Sequence, residues 1–305
     1  MPFSLEVDKL VTLEQAAARV QDGNVVALGG GLSARLPMAL VRELIRQERR
    51  DLHLVGSAHG IDVDLLVAAG SVSTCEESYV GFEQDLGLAP AYRRAAEAGE
   101  VRIAESCCIT MLTQLRAAEA GLPFLPVRGV KGSDILSLHP EYAEVTCPFT
   151  GEVLVAVPAL SPDVALIHAS MGDRRGNLHF DKPYVLDERF ASASKLVVAT
   201  VERVASTEEV AAAGITIPAH LVASVAEAPF GAHPTSCYPD YAYDRNHLRD
   251  YVEAAATPQG ATDYLERFVT GAATEEGYRK LLGEDGVERL RGWKTSTQAW
   301  KELFA

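Results

Sequence analysis

The chain has 305 residues, 48% of them hydrophobic and 23% charged, and a formal net charge of −14. Such a length builds one large domain or two small ones from an ordinary globular composition, and the acidic balance excludes the basic footprint that nucleic acid requires. The clearest apolar run, "VLVAVPAL", falls far short of the ~20 residues of a membrane span, and "MPFSLEVDKLVTLEQ" has no basic stretch leading into an apolar one, so no membrane association and a cytoplasmic location are expected.

Helix-like and strand-like segments alternate from the start. "TLEQAAARVQDG" has helical spacing, with Thr12 suited to the N-cap and Gly23 to the stop. "NVVALGG" reads as a strand, "PMALVRELIRQE" as a helix with Pro37 in its first turn, and "DLHLVGSA" as the next strand. Helix "DVDLLVAAG", strand "SVSTCEESYV", helix "PAYRRAAEAGE", strand "VRIAE" and helix "CCITMLTQLRAAEAG" follow. The middle is rich in strands: "EVLVAVPAL", "VALIHAS", "KLVVATV" and "HLVASVAEAP". Past residue 244 the pattern becomes charged amphipathic helix, as in "RNHLRDYVEAAA". Alternation of this kind predicts an α/β fold with an open, mainly parallel sheet. Residues 1–244 form the α/β domain in this reading, and 245–305 its helical C-terminal extension.

In an open parallel sheet, ligands sit beyond the carboxyl ends of the strands, and several chemically able residues fall there. Gly29, Gly30 and Gly31 follow the first strand, where backbone N–H groups are expected to be free for a ligand. Ser33 and Arg35 add a hydroxyl and a cation to that loop. Ser57, His59 and Gly60 follow the second strand, and Glu105 follows "VRIA" just ahead of a helix. "VRGVKGSD" contributes Lys131, Gly132 and Ser133, with Arg128 nearby.

Each of these has a plain structural use as well: a tight turn for the glycines, solvation for the cations, and for Glu105 a favourable place at a helix start. The tandem Cys107-Cys108 opens a helix, where a thiol pKa falls, although one of two adjacent helical residues is expected to face the core. Five dispersed cysteines without a CxxC pair point to reduced thiols. His233 and Cys237 are spaced for a metal, but no third or fourth ligand is identifiable nearby, so no metal site is expected.

Gly29, Gly31 and Ala34 fit the G-x-G-x-x-G/A spacing of dinucleotide sites. Such a site also needs an acidic residue ending the second strand, about 20 residues further on. Asp51 precedes that strand instead, and the strand ends in Gly56-Ser57-Ala58. The dinucleotide reading therefore lacks its context.

"LPFLPVRGVKGSD", "CPFTGEVLVAVPALSPDVALIHASMGDRRGN" and "EAPFGAHPTSCYPDYAYD" resemble the A (alpha) subunit of class I coenzyme A transferases, as does "GGGLSARLPMALVREL". The resemblance spans roughly residues 12 to 270 and is nearest to the glutaconate CoA-transferase branch. It implies an open α/β fold, a B-type partner subunit in an α2β2 assembly, an active site between the two, and a CoA thioester as substrate with no tightly bound cofactor. The glycine loop would face the acyl-CoA, and the nucleophilic glutamate of the transferases would belong to the partner. The branch also contains a 3-methylglutaconyl-CoA decarboxylase and a steroid ring-opening hydrolase, whose A subunit carries a catalytic glutamate at the place of Glu105. A more remote alternative is a non-catalytic ligand sensor, against which stands the lack of an appended helix-turn-helix segment and of a basic face.

Overall fold

The computed structural model describes residues 8–82, 86–181 and 185–294. The first seven residues, on which the expected lack of a secretory leader partly rests, lie outside the described residues, as does the end of the extension beyond 294. Along the chain the strands are β1 (Val25–Leu28), β2 (Leu52–Val55), β3 (Ala58–His59), β4 (Val72–Glu76), β5 (Tyr79–Val80), β6 (Arg102–Ile103), β7 (Phe124–Val127), β8 (Ala143–Thr146), β9 (Val153–Pro158), β10 (Val164–Gly172), β11 (Leu178–His179), β12 (Leu196–Val204) and β13 (Ser224–Glu227).

The main sheet runs β13-β12-β10-β1-β2-β4-β6 with all neighbours parallel, and β11 adds an antiparallel turn to β10. Helices cover both faces, so its strands alternate between two apolar cores rather than between core and water. Val26, Leu28, Leu54 and Leu166 enter one core with Leu40 and Leu44 of helix Met38–Arg46 and Leu65 of helix Ile61–Ala68. Ala27, Val55, Ala165 and Ile167 enter the other, with Met111 and Leu115 of helix Cys108–Glu119 and Phe190 of helix Asp187–Ala193. β1 has β2 on one side and β10 on the other. The strand order reverses there, and the glycine loop sits at its carboxyl end.

The first helix is short, Leu13–Ala17, and opens on a capping box in which the Thr12 hydroxyl accepts from Gln15 N–H at 3.2 Å and Gln15 Oε1 accepts from Thr12 N–H at 3.1 Å. The helices past residue 244 pack into the first core: Leu248, Tyr251, Ala261 and Tyr264 are buried there, and the Tyr251 hydroxyl donates to Asp64 Oδ2 at 2.7 Å. Two segments depart from the sequence expectation. "EVLVAVPAL" supplies β9, the centre of a separate antiparallel sheet β7-β9-β8, and "SVSTCEESYV" breaks into β4 and β5, the latter pairing with β3.

Candidate active site at the strand ends

The glycine loop is closed by its own hydrogen bonds. Gly29 N–H donates to the Leu166 carbonyl at 2.8 Å, Gly30 N–H to Asp187 Oδ1 at 2.9 Å, and Gly31 N–H to the Ala34 carbonyl at 2.9 Å. The expectation of free glycine amides is therefore corrected: these amides hold the loop. The glycines are needed for packing. Gly30 has φ +73°, and a Cβ there would lie 2.5 Å from the Ala34 carbonyl oxygen; at Gly29 it would lie 2.9 Å from that of Leu166.

Arg35, expected as a cation for an anionic ligand, is 1% exposed and forms a two-pronged pair with Asp187 at 3.0 and 3.1 Å, its guanidinium 4.0 Å above the Phe180 ring. Burial pushes the Asp187 carboxyl up, but Arg35 and the Gly30 amide outweigh it and hold it below its ordinary value. Arg35 thus fastens the loop. Ser33 is half-buried, and its carbonyl accepts from the Ser236 amide at 2.8 Å and hydroxyl at 2.9 Å.

The neighbouring strand ends gather the chemistry. Beyond β2, the Ser57 hydroxyl donates to Cys108 Sγ at 3.2 Å. His59 is buried with Nδ1 2.6 Å from Asp62 Oδ2, and Asp62 Oδ1 accepts from Gly60 N–H at 3.0 Å, tying the ring to the start of helix Ile61–Ala68. Leu32 N–H donates to the Ala58 carbonyl at 3.0 Å, so this segment and the glycine loop adjoin. Beyond β4, Glu77 is buried, and its carboxyl fills the space over Gly56, where a Cβ would lie 2.2 Å from Oε1. Both carboxyl oxygens find no hydrogen-bond partner among the described residues. Burial pushes its pKa up to about 8 against the opposing pull of His59. His59 itself is raised to about 9, because Glu77 and Asp62 outweigh the effect of its own burial. Each shift depends on the other group's charge: burial favours the neutral form of Glu77, and the carboxylates of Glu77 and Asp62 favour the charged form of His59.

Beyond β6, the Glu105 side chain is exposed, and its carbonyl accepts from His139 Nε2. His139 Nδ1 lies 2.7 Å from Glu141 Oε1, and its ring stacks on Tyr142 at 4.5 Å. The small antiparallel sheet unit is thereby joined to the Glu105 segment. Cys107 caps helix Cys108–Glu119 and is half-buried, while Cys108 is exposed. Neither cysteine is buried, so the expectation that one of this pair faces the core is corrected; the helix enters the core from Met111 onward.

Ser57 and His59 thus lie beyond β2 and Glu105 beyond β6, with β4 and its Glu77 between them and the glycine loop beyond β1, next to β2. Lys131, Gly132 and Ser133 lie apart on an exposed turn of the small-sheet unit. There Lys131 Nζ donates to the Val153 carbonyl at 3.1 Å, the Ser133 hydroxyl donates to Val130 at 2.7 Å, and Gly132 has φ +78°. Sequence reasoning passed over Glu77, Asp62 and Asp187. The "CEES" carboxylates at a strand end and the His59/Asp62 spacing at a helix start were the available signals.

His233 and Cys237 do not share a site. His233 Nδ1 lies 2.7 Å from the Tyr278 hydroxyl, while Cys237 lies against His168 and Glu202. Glu202 contacts His168 Nε2 at 2.7 Å and accepts from the Tyr241 hydroxyl at 2.6 Å and from the amides of Phe230 and Gly231 at 2.7 and 3.1 Å. That carboxylate is already saturated and works as a clasp on the "PFGAH" turn.

The sequence pattern of the Coenzyme A transferase family matches residues 10–228. An uncharacterized protein of Archaeoglobus fulgidus is 34% identical over 93% of this chain, which spans only 64% of that longer protein. The cholesterol ring-cleaving hydrolase IpdA subunit of Rhodococcus jostii is 35% identical, with 92% of this chain and 98% of the relative covered. Among solved structures, glutaconate coenzyme A-transferase of Acidaminococcus fermentans superposes with a TM-score of 0.88 at 30% identity, covering 93% of this chain and 95% of that one. A variant of the decarboxylase AibA/AibB superposes with a TM-score of 0.79 at 34% identity, covering 86% and 99%. With strand ends bearing this chemistry and relatives matched over nearly its whole length, the chain belongs to the coenzyme A transferase family.

Proposed function

We propose that this chain is the A-type subunit of a heteromeric enzyme acting on a short dicarboxylic acyl-CoA thioester, in the manner of glutaconate CoA-transferase. The observation that carries this reading is the placement of Ser57, His59 and Glu105 along one edge of the sheet, at the carboxyl ends of β2 and β6, in a chain that follows the glutaconate enzyme's fold over 93% of its length. The attacking carboxylate of a transferase would come from a B-type subunit, in an α2β2 assembly. Ile109, Leu122, Phe124, Leu138 and Phe149 leave large apolar surface exposed around the small antiparallel sheet, a natural face for that subunit. CoA enters this scheme as substrate. The net charge of −14 means that local cations, Lys131 among them, or the partner must hold its phosphates. The free cysteines fit a reducing compartment, the cytoplasm.

A second reading keeps the scaffold and changes the reaction to hydrolytic ring opening or decarboxylation. Glu105 favours it, as an exposed carboxylate in this chain itself. In either case a positioned carboxylate and donors to the thioester oxygen lower the barrier. The test is to co-express the chain with its B-type subunit and follow glutaconyl-CoA and 3-methylglutaconyl-CoA by mass spectrometry, with and without acetate. Acetyl-CoA formed only with acetate supports transfer. Loss of CO2 without an acceptor supports decarboxylation. If neither thioester changes, the short-dicarboxylate assignment is rejected, and a bulkier cyclic CoA thioester is the next substrate to test.

A further inference from the structure

Within that acyl-CoA reading, we infer that Cys108 is an acyl-accepting thiol, which exchanges with the thioester of a bound acyl-CoA to give an acyl-cysteine on this chain. Cys108 is the first residue of helix Cys108–Glu119, exposed at the carboxyl ends of β2, β4 and β6, and Ser57 Oγ lies 3.2 Å from its sulfur. The twelve-residue helix directs its positive end at the sulfur, which favours thiolate. The hydroxyls of Ser57 and Ser78 hold its pKa below the ordinary thiol value, against a smaller opposing effect of burial.

A second, independent feature marks the place as built for a ligand. The carboxyl of Glu77, beyond β4, and the hydroxyl of Ser106, beyond β6, are buried at neighbouring strand ends, without hydrogen-bond partners among the described residues. Buried polar groups are ordinarily paired. Two unpaired ones beside a single exposed thiol offer donors and acceptors to an oxygen-bearing group such as a thioester carbonyl.

The step balances without any added oxidant or reductant. Cys108 sulfur forms a bond to the thioester carbon, the carbon–sulfur bond to CoA breaks, and the proton given up by the thiol passes to the departing CoA thiolate. One thioester replaces another, so the exchange is close to thermoneutral. Cys107 is half-buried as the residue that caps the helix, and the other cysteines are less suited. Cys75 and Cys237 are buried, and burial pushes both thiols up. Cys147 lies on the hairpin between β8 and β9, away from the strand ends.

The test uses the co-expressed complex, with glutaconyl-CoA and acetyl-CoA as probes. Binding is scored by the shift in melting temperature, iodoacetamide labelling of each cysteine by peptide mass, and acylation by intact mass after acid quench. The expected result is that Cys108 labels fastest, that the bound thioester slows this labelling, and that the complex gains an acyl mass at Cys108 that neutral hydroxylamine removes. C108S loses that adduct while keeping the melting shift. A thioester that binds but neither protects nor acylates Cys108 overturns the inference and leaves the acyl-CoA reading intact. Absence of any melting shift with either probe rejects the reading for these substrates and the inference with it.

Discussion

Arg35 and Asp187 show how a single residue can be read correctly for charge and wrongly for use. A cation in a glycine loop invites assignment to a phosphate. Here its φ of +53° turns the side chain inward to a carboxylate contributed by a helix more than 150 residues away. Nothing local in the sequence marks Asp187 as its partner. Removing one member of a buried pair leaves the other charge uncompensated, so Asp187→Ala should destabilise the chain by roughly 3–5 kcal/mol in urea unfolding. A double variant that replaces Arg35 and Asp187 by apolar residues should recover part of that loss; no recovery would mean that the pair does not hold the loop.

At the scale of elements, the βαβ alternation was legible because each strand is short, β-rich and bounded by turn residues, and the helical character past residue 244 was legible from its charge spacing. The position of β9 was not. An apolar run such as "VLVAVP" reads the same at the centre of a small antiparallel sheet as in a buried parallel one, and only the pairing of β7 and β8 against it decides. The same unit presents Phe149, which is 93% exposed on the hairpin between β8 and β9. Phe149→Ser should therefore leave the melting temperature of the isolated chain unchanged while weakening its association with the B-type subunit, measured by analytical ultracentrifugation. Equal association in both proteins would place the partner elsewhere. The placement of Ser57, His59 and Glu105 at strand ends was legible because each follows a recognisable strand. Glu77 was hidden because the sequence gives no sign that Gly56 makes room for its carboxyl.

Across the whole molecule, buried titratable groups set opposing limits on stability. His247 sits among His233, Tyr264, Phe268 and Tyr278 where the C-terminal helices meet the "PFGAH" turn. Burial first, then the neighbouring His233, depress its pKa to about 3. Its folded value lies below the ordinary 6.5, so its contribution is complete above pH 6.5 and is lost as pH falls toward 3. Glu77 and His59 act in the opposite sense. Their folded values of about 8 and 9 lie above the ordinary 4.5 and 6.5, so their contributions are lost as pH rises through the folded values. Melting temperature against pH should accordingly pass through a maximum in the mildly acidic range, and Glu77→Gln should flatten the alkaline side between pH 4.5 and 8. An unaltered alkaline side in that variant would show that Glu77 is not held protonated.

That the strand ends of this chain form part of an active site is tested most directly at Glu105. The measurement is turnover of the acyl-CoA substrate by the complex carrying Glu105→Gln, beside its melting temperature. The side chain is exposed, so stability should stay within about 0.5 kcal/mol of the parent. Loss of a positioned acid–base carboxylate should lower turnover by about 100-fold or more. Full turnover in a correctly folded Glu105→Gln complex would contradict a catalytic role for these strand ends.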